Sequence, residues 1–180
     1  MAAPIYYTAE MVRALPEDGN RYEVVRGELL VTPAPRLWHQ EIVLRLARAL
    51  TGYLDTEGVG HLFCSPADIS WGPDTLVQPD LFVVLLEQAR TLDWVQITDL
   101  LLVVEVLSPS SRRADRFSKR LEYQRQGVPL YWVVGPDERS VEVWTPEDTL
   151  SRFEHERLAW HPARADAAFE LELLELFKPI

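Results

Sequence analysis

The chain contains a single cysteine, Cys64. That excludes an internal disulfide and any cysteine-based zinc cluster, and it reads most simply as a small buried hydrophobe. Lysine is nearly as scarce, since Lys119 and Lys178 are the only two among 18 Lys and Arg residues. His39, His61, His155 and His161 are dispersed without a His-x-x-x-His spacing, which argues against a histidine zinc site. There is no Gly-rich phosphate loop, and therefore no signature of nucleoside triphosphate binding. Ser108-Pro109-Ser110-Ser111 lacks a Gly-x-Ser-x-Gly elbow and reads as a turn followed by a helix cap. No stretch reaches the ~18 consecutive apolar residues of a membrane helix. Met1–Tyr7 shows neither the basic n-region nor the apolar h-region of a secretory signal, so a cytoplasmic location is expected. Positive charge is also short overall: the net charge is −10, which opposes whole-surface nucleic-acid binding.

What is present suits a packed body. A 180-residue chain with 47% hydrophobic residues is expected to form one domain, 1–180, burying roughly two thirds of its unfolded surface. The core is expected over about 20–145, with further strands in 150–180. The six tryptophans are scattered and read as core or interface residues rather than base-stacking platforms. Thr8 can cap a short helix over 9–15, stopped by Pro16. Strands at 22–25 and 28–32 flank Arg26-Gly27 as a hairpin. Helical spacing of Ile42, Leu46, Ala49, Leu50 and Tyr53 predicts a helix over 37–54. Strands follow at 59–63, 67–71 and 77–84, then a 15-residue connection over 85–99 with room for a helical turn. A strand over 100–107, a helix over 112–126 ended by Gly127, and a strand over 130–134 form a β-helix-β crossover, which predicts parallel strands. Strands at 140–145, 152–158 and 169–173 complete an α/β (α+β) fold with a mixed sheet between helices.

Two acids stand out because each is embedded in an apolar strand pattern. Glu105 interrupts Leu100–Leu107, and Asp80 interrupts Val77–Val84. A carboxylate in such a setting is costly unless a partner or a cation binds it. Strand alternation puts Glu105 on the face shared by Val103 and Leu107. Two convergent carboxylates, with the Val106 carbonyl as a further ligand, could hold Mg²⁺, which takes oxygen ligands and keeps open waters for a phosphate. The plain alternative is structural pairing with arginines. Lys119 lies downstream on a basic segment, Arg112 to Arg125, carrying six cations against Asp115 and Glu122, hence 6 − 2 = +4. Such a patch on an acidic protein suits a narrow phosphate-facing site. Asp115, Lys119 and Tyr123 share one helix stripe, while Phe117, Leu121 and Gln124 are expected to form the core stripe. An Asp–Lys pair at this spacing is also a common surface ion pair.

Arg21-Tyr22-Glu23-Val24-Val25-Arg26-Gly27-Glu28-Leu29, His39-Gln40, Gln78-Pro79-Asp80, Val104-Glu105-Val106-Leu107-Ser108-Pro109-Ser110-Ser111, Asp115, Lys119, Tyr123, Gly127-Val128 and Tyr131-Trp132-Val133-Val134 together resemble the Uma2 family. That family belongs to the PD-(D/E)XK nuclease-like superfamily. The resemblance implies a restriction-endonuclease-like core and a Mg²⁺-dependent endonuclease acting on nucleic acid, expected to be DNA, with Mn²⁺ as a substitute metal. It implies Asp80 and Glu105 as metal-binding acids. Leu107 stands where the superfamily pattern has lysine, and Lys119 on the following helix is the replacement that would orient water or bind phosphate. Glu28 is implied as a further catalytic acid, with His39, Arg112, Arg116 and Tyr123 as substrate contacts. A homodimer is expected, since many nucleases of this fold pair two sites. Changing either acid to Ala, or Lys119 to Met, is expected to abolish cleavage with the fold intact. A catalytically idle domain used for binding or assembly is the rival reading, supported by the acidic surface.

Overall fold

The computed structural model describes residues 5–180. Residues 1–4, part of the segment read as lacking a secretory signal, lie outside the described residues. In chain order the elements are α1 (Ala9–Arg13), β1 (Arg21–Val25), β2 (Glu28–Thr32), α2 (Leu37–Glu57), β3 (His61–Cys64), β4 (Ile69–Ser70), β5 (Leu76–Val77), β6 (Leu81–Val84), α3 (Leu86–Ala89) and β7 (Leu100–Val106). A π-helical segment, Ala114–Lys119, then runs directly into α4 (Arg120–Arg125). There follow β8 (Tyr131–Gly135), β9 (Ser140–Trp144), β10 (Arg152–Glu154), β11 (Arg157–Trp160), β12 (Phe169–Glu172) and α5 (Leu173–Leu176).

The central sheet has six strands in the order β10-β9-β8-β7-β6-β3. It is mixed: β7 and β8 pair in parallel, as the helical crossover between them requires, and the other neighbours are antiparallel. A smaller antiparallel sheet, β2-β1-β5-β4, stands beside it, and β11-β12 form a separate hairpin. Both faces of the central sheet are covered, so β6 and β8 are buried throughout their length instead of alternating. On one face, α2 inserts Ile42, Leu46, Leu50 and Leu54 against Val104, Val106 and Trp132, together with Leu158 and Phe169 from the C-terminal hairpin. On the other, Val103, Leu107, Val133 and Tyr131 pack on Tyr123 of α4 and on Val25 and Val77 of the small sheet. Pleating therefore turns Glu105 toward α4 and β1.

The β1–β2 hairpin explains its own turn. Arg26 and Gly27 both have positive φ, 51° and 82°, as a two-residue hairpin turn with the right twist demands. Gly27 also meets the Tyr6 ring where a Cβ would sit, so a larger residue there would collide with that ring.

Several elements depart from the sequence reading. The strand expected over 77–84 is two strands in two sheets, divided at Gln78-Pro79-Asp80. Proline has no N–H to give a ladder, and the Asp80 carboxylate replaces the strand by accepting from the Val106 N–H at 2.8 Å. The strand expected over 152–158 is likewise divided, into β10 and β11 of different sheets. Cys64 is exposed rather than buried, because it ends β3 at the edge of the central sheet. The largest reversal concerns the helix after β7. Phe117 and Leu121 are exposed, and the buried stripe is the polar one, Asp115, Lys119, Glu122 and Tyr123. The surface opposite this helix is polar too, which is why a polar stripe can be covered.

Candidate active site

Four carboxylates converge between the two sheets and the helix. Glu23 comes from β1, Asp80 from the β5–β6 connection, Glu105 from β7 and Asp115 from the π-helical segment, and all are buried. Lys119 sits among three of them. Its Nζ lies 2.8 Å from Glu23 Oε1, 2.9 Å from Glu105 Oε1 and 3.3 Å from Asp115 Oδ1. The Asp115 contact is an ion pair without hydrogen-bond geometry. Tyr123 Oη donates to the same Glu105 oxygen at 3.0 Å, while Glu105 Oε2 is buried with no protein partner.

Asp80 is held from three sides. Arg21 Nη1 donates to Oδ1 at 2.8 Å, and Oδ2 receives the Val106 N–H and stands 3.1 Å from His39 Nε2. Arg21 also donates to the Gln78 carbonyl at 3.0 Å and lies 3.6 Å from Glu23 Oε2. Each of the two expected metal ligands thus has one oxygen fixed by buried protein groups. The other oxygen is bare in Glu105 and held by an arginine in Asp80.

The charges do not balance. Four carboxyl groups face two permanent cations, Arg21 and Lys119, with His39 at the margin. The excess appears as opposite displacements of the acids. Burial alone would raise Asp80, but the His39 hydrogen bond and the Arg21 charge bring it well below the usual carboxylate range. Burial pushes Glu105 up to about 8, and Asp115, Asp80 and Glu23 add to the rise against Lys119. Burial raises Asp115 as well, against the same lysine. Lys119 itself would be depressed by burial, but Glu105, Glu23 and Asp115 outweigh that and keep it charged.

This has a consequence for stability. Glu105 keeps its proton in the folded protein between its ordinary value of 4.5 and about 8, where the unfolded chain has lost it. The folded state then binds more protons, so this group's contribution falls as pH rises through that window. We expect Glu105→Gln to flatten the decline in urea-unfolding midpoint between about pH 5 and about pH 8 in divalent-free buffer. An unchanged slope would show that another group titrates there.

Beside the cluster is an open cleft of about 650 Å³. Arg21, His39 and Asp80 line it together with Arg36, Gln40 and Gln78. Glu105 and Lys119 lie behind this wall, with relative exposures of 0% and 1%. The oxygen-rich donor set of Asp80 and Glu105 fits Mg²⁺ in kind, since that ion is commonly bound by one or two carboxylates, and the unpartnered Glu105 Oε2 is the specific sign of fit. Among the described residues no group of three or more His, Cys, Asp or Glu side chains is arranged to hold a metal by itself.

The other expected site residues fall in different places. Glu28 is exposed and accepts from Ser118 Oγ at 3.3 Å, outside the cluster; Glu23, five residues earlier, is the β1–β2 acid that joins it. Tyr123 is fully buried and touches Glu105 rather than a surface. Arg112 pairs with Asp137 and Glu138, and Arg116 with Glu142 and Glu138, so the basic helix spends these charges on neighbouring acids and neither lines the cleft. Arg120 stacks over the Trp144 ring at 4.5 Å, and Arg125 pairs with Glu122. The cations at the cleft are instead Arg21 and Arg36. Glu23 carried a signal that was readable, an acid on the inward-facing positions of a strand; Arg21 stood in the same motif without a role assigned to it, and Arg36 carried no signal.

The sequence model of one family, described as "Putative restriction endonuclease", matches residues 9–172. The chain belongs to the Uma2 family. Among the four solved chains that match is the crystal structure of "a putative nuclease belonging to DUF820" from Anabaena variabilis. It aligns with a TM-score of 0.79 at 20% identity, over 95% of the present chain and 97% of its own. At that identity the likeness establishes a common fold. None of the curated proteins compared with the chain matches it. Within Uma2, then, this chain presents a mixed central sheet flanked by helices, with the acid cluster at the point where β6 and β7 meet the β1 hairpin. No helix among the described residues is long and apolar enough to cross a membrane.

Proposed function

We propose that this Uma2 protein is a Mg²⁺-dependent endonuclease that hydrolyses phosphodiesters of DNA. Family membership supports nuclease chemistry. The observation that carries the metal-dependent form is one oxygen of the cluster: Glu105 Oε2 is buried and has no hydrogen-bond partner. A buried carboxylate oxygen without a donor is expensive and gains most from a cation. Bound by Asp80 and Glu105, Mg²⁺ would act as a Lewis acid on a phosphate oxygen and ease loss of a proton from water.

The protein's own groups have separable tasks. The Val106 N–H and His39 orient the Asp80 carboxylate toward the cleft wall. Lys119 and Tyr123 fix one Glu105 oxygen, so Lys119 serves here as a positioning residue for that acid. Arg36, Gln40 and the serines near 108–111 offer donors along the cleft to a sugar-phosphate backbone.

The test is calorimetric titration of the full chain with Mn²⁺, paired with cleavage of duplex DNA with and without Mg²⁺. Binding of one Mn²⁺ with metal-dependent cleavage is the expected result. The pairing of Asp80 with Arg21 favours a second reading, an idle domain used for binding. Absence of both binding and cleavage would reject the nuclease and leave the idle domain as the better reading.

A further inference from the structure

Arg21 differs from every other charged group in the cluster in how it is held. Lys119 is enclosed by three carboxylates at 1% side-chain exposure, whereas the Arg21 side chain is 18% exposed and lines the cleft. The bonds on Asp80 are similarly unequal. Oδ2 rests on a backbone N–H that cannot leave β7 and on His39, but Oδ1 has only the Arg21 guanidinium. Removing Arg21 would not strand Glu23, because Glu23 Oε1 still takes Lys119 and the Gln78 N–H, at 2.8 Å and 2.7 Å. Arg21, although it also donates to the Gln78 carbonyl at 3.0 Å, is thus the one permanent cation of the cluster that stands on the boundary between the acids and the cleft.

Resting on the nuclease reading above, we propose that Arg21 is a transferable counter-cation. It neutralises Asp80 while no divalent cation is bound, and it passes to a phosphodiester oxygen in the cleft when one arrives. The physical basis is competition for Asp80 Oδ1. A divalent ion drawn to that oxygen is repelled by the guanidinium lying 2.8 Å from it. The displaced guanidinium finds a match in phosphate, which its planar fork binds through two parallel hydrogen bonds. Arg21 begins β1 directly after the Gly19-Asn20 turn, and both turn residues line the same cleft, so the side chain has the cleft as its neighbouring open space. The arrangement would keep the buried acids compensated before metal binding and bring a positive charge to the substrate afterwards.

The two halves of this proposal predict effects of opposite sign, which a purely structural role for Arg21 would not produce. In Arg21→Gln, Mn²⁺ affinity measured by calorimetry should rise on the order of tenfold, the worth of a charged hydrogen bond removed from a ligand oxygen. In the same variant the KM for duplex DNA should rise by at least about tenfold, from loss of the phosphate contact. Wild-type or weaker Mn²⁺ affinity in the variant, beside a wild type that binds Mn²⁺ and cleaves DNA, would overturn the role of Arg21 and leave the nuclease reading standing. A wild type and a variant that both fail to bind Mn²⁺ would overturn the nuclease reading, and this proposal with it. Circular dichroism checks that the variant is folded. If Arg21→Gln does not fold, Arg21→Lys takes its place: lysine keeps the charge but not the fork, so KM should still rise, and an unchanged KM would overturn the proposal.

Discussion

Lys119→Met should destabilise the protein by about 3–5 kcal/mol, the usual cost of removing one partner from a buried ion pair. The lysine is the shared partner of Glu23, Glu105 and Asp115, and all four groups are shielded from water. Methionine fills much of the volume, so the loss is electrostatic: carboxyl groups must either stay charged without a partner or take up protons. The sequence alone suggested that this substitution would leave the fold intact, and the burial of Nζ reverses that expectation. Denaturant unfolding at constant ionic strength measures the effect. Adding Glu105→Leu to Lys119→Met should recover part of the loss, because a buried charge is then replaced by packing rather than left alone. If the single variant unfolds at the wild-type denaturant midpoint, Lys119 is not the keystone that its contacts indicate. Loss of cleavage in Lys119→Met is accordingly poor evidence of a chemical role unless folding is measured beside it.

Asp80→Asn should remove activity at a smaller cost in stability than Lys119→Met. The side-chain shape is kept, and its oxygen can still accept the Val106 N–H that joins the β5–β6 connection to β7. Arg21, partly exposed, can turn to solvent when its partner loses charge. What disappears is one of the two carboxylates proposed to bind the cation. We expect Mn²⁺ binding to become undetectable by calorimetry. Metal-dependent cleavage should fall at least about a thousandfold, equivalent to ~4 kcal/mol of transition-state stabilisation. Retained cleavage in a purified, metal-loaded variant would remove Asp80 from the proposed ligands. The contrast between the two variants is informative by itself. One acid faces the cleft and can be altered without collapse, whereas the lysine lies behind it and cannot.

Much of the frame was legible from local patterns. The apolar run around Glu105, the β-helix-β order and the Arg26-Gly27 turn each depend on neighbours within one element or one connection, and periodicity or turn chemistry reports such features directly. The two acids, Asp80 and Glu105, could be picked out for the same reason: a charged residue in an apolar strand pattern is anomalous whatever surrounds it. Burial of the polar helix stripe was not legible. Phe117 and Leu121 have the composition of a core face, and only the presence of Glu23 and Glu105 opposite the helix makes Asp115 and Lys119 the buried side.

By itself, then, the sequence determined most of the strands, the main helix, the parallel crossover and the identity of two misplaced acids, because these follow from properties of contiguous residues. Tertiary structure alone decided how charge is shared among them. It gave Lys119 to three carboxylates, substituted Glu23 for Glu28, turned Arg112 and Arg116 onto neighbouring acids, and put Arg21 on Asp80, 59 residues away in the chain. Ion pairing depends on distance in space and on exclusion of water, and neither quantity is written in the order of residues.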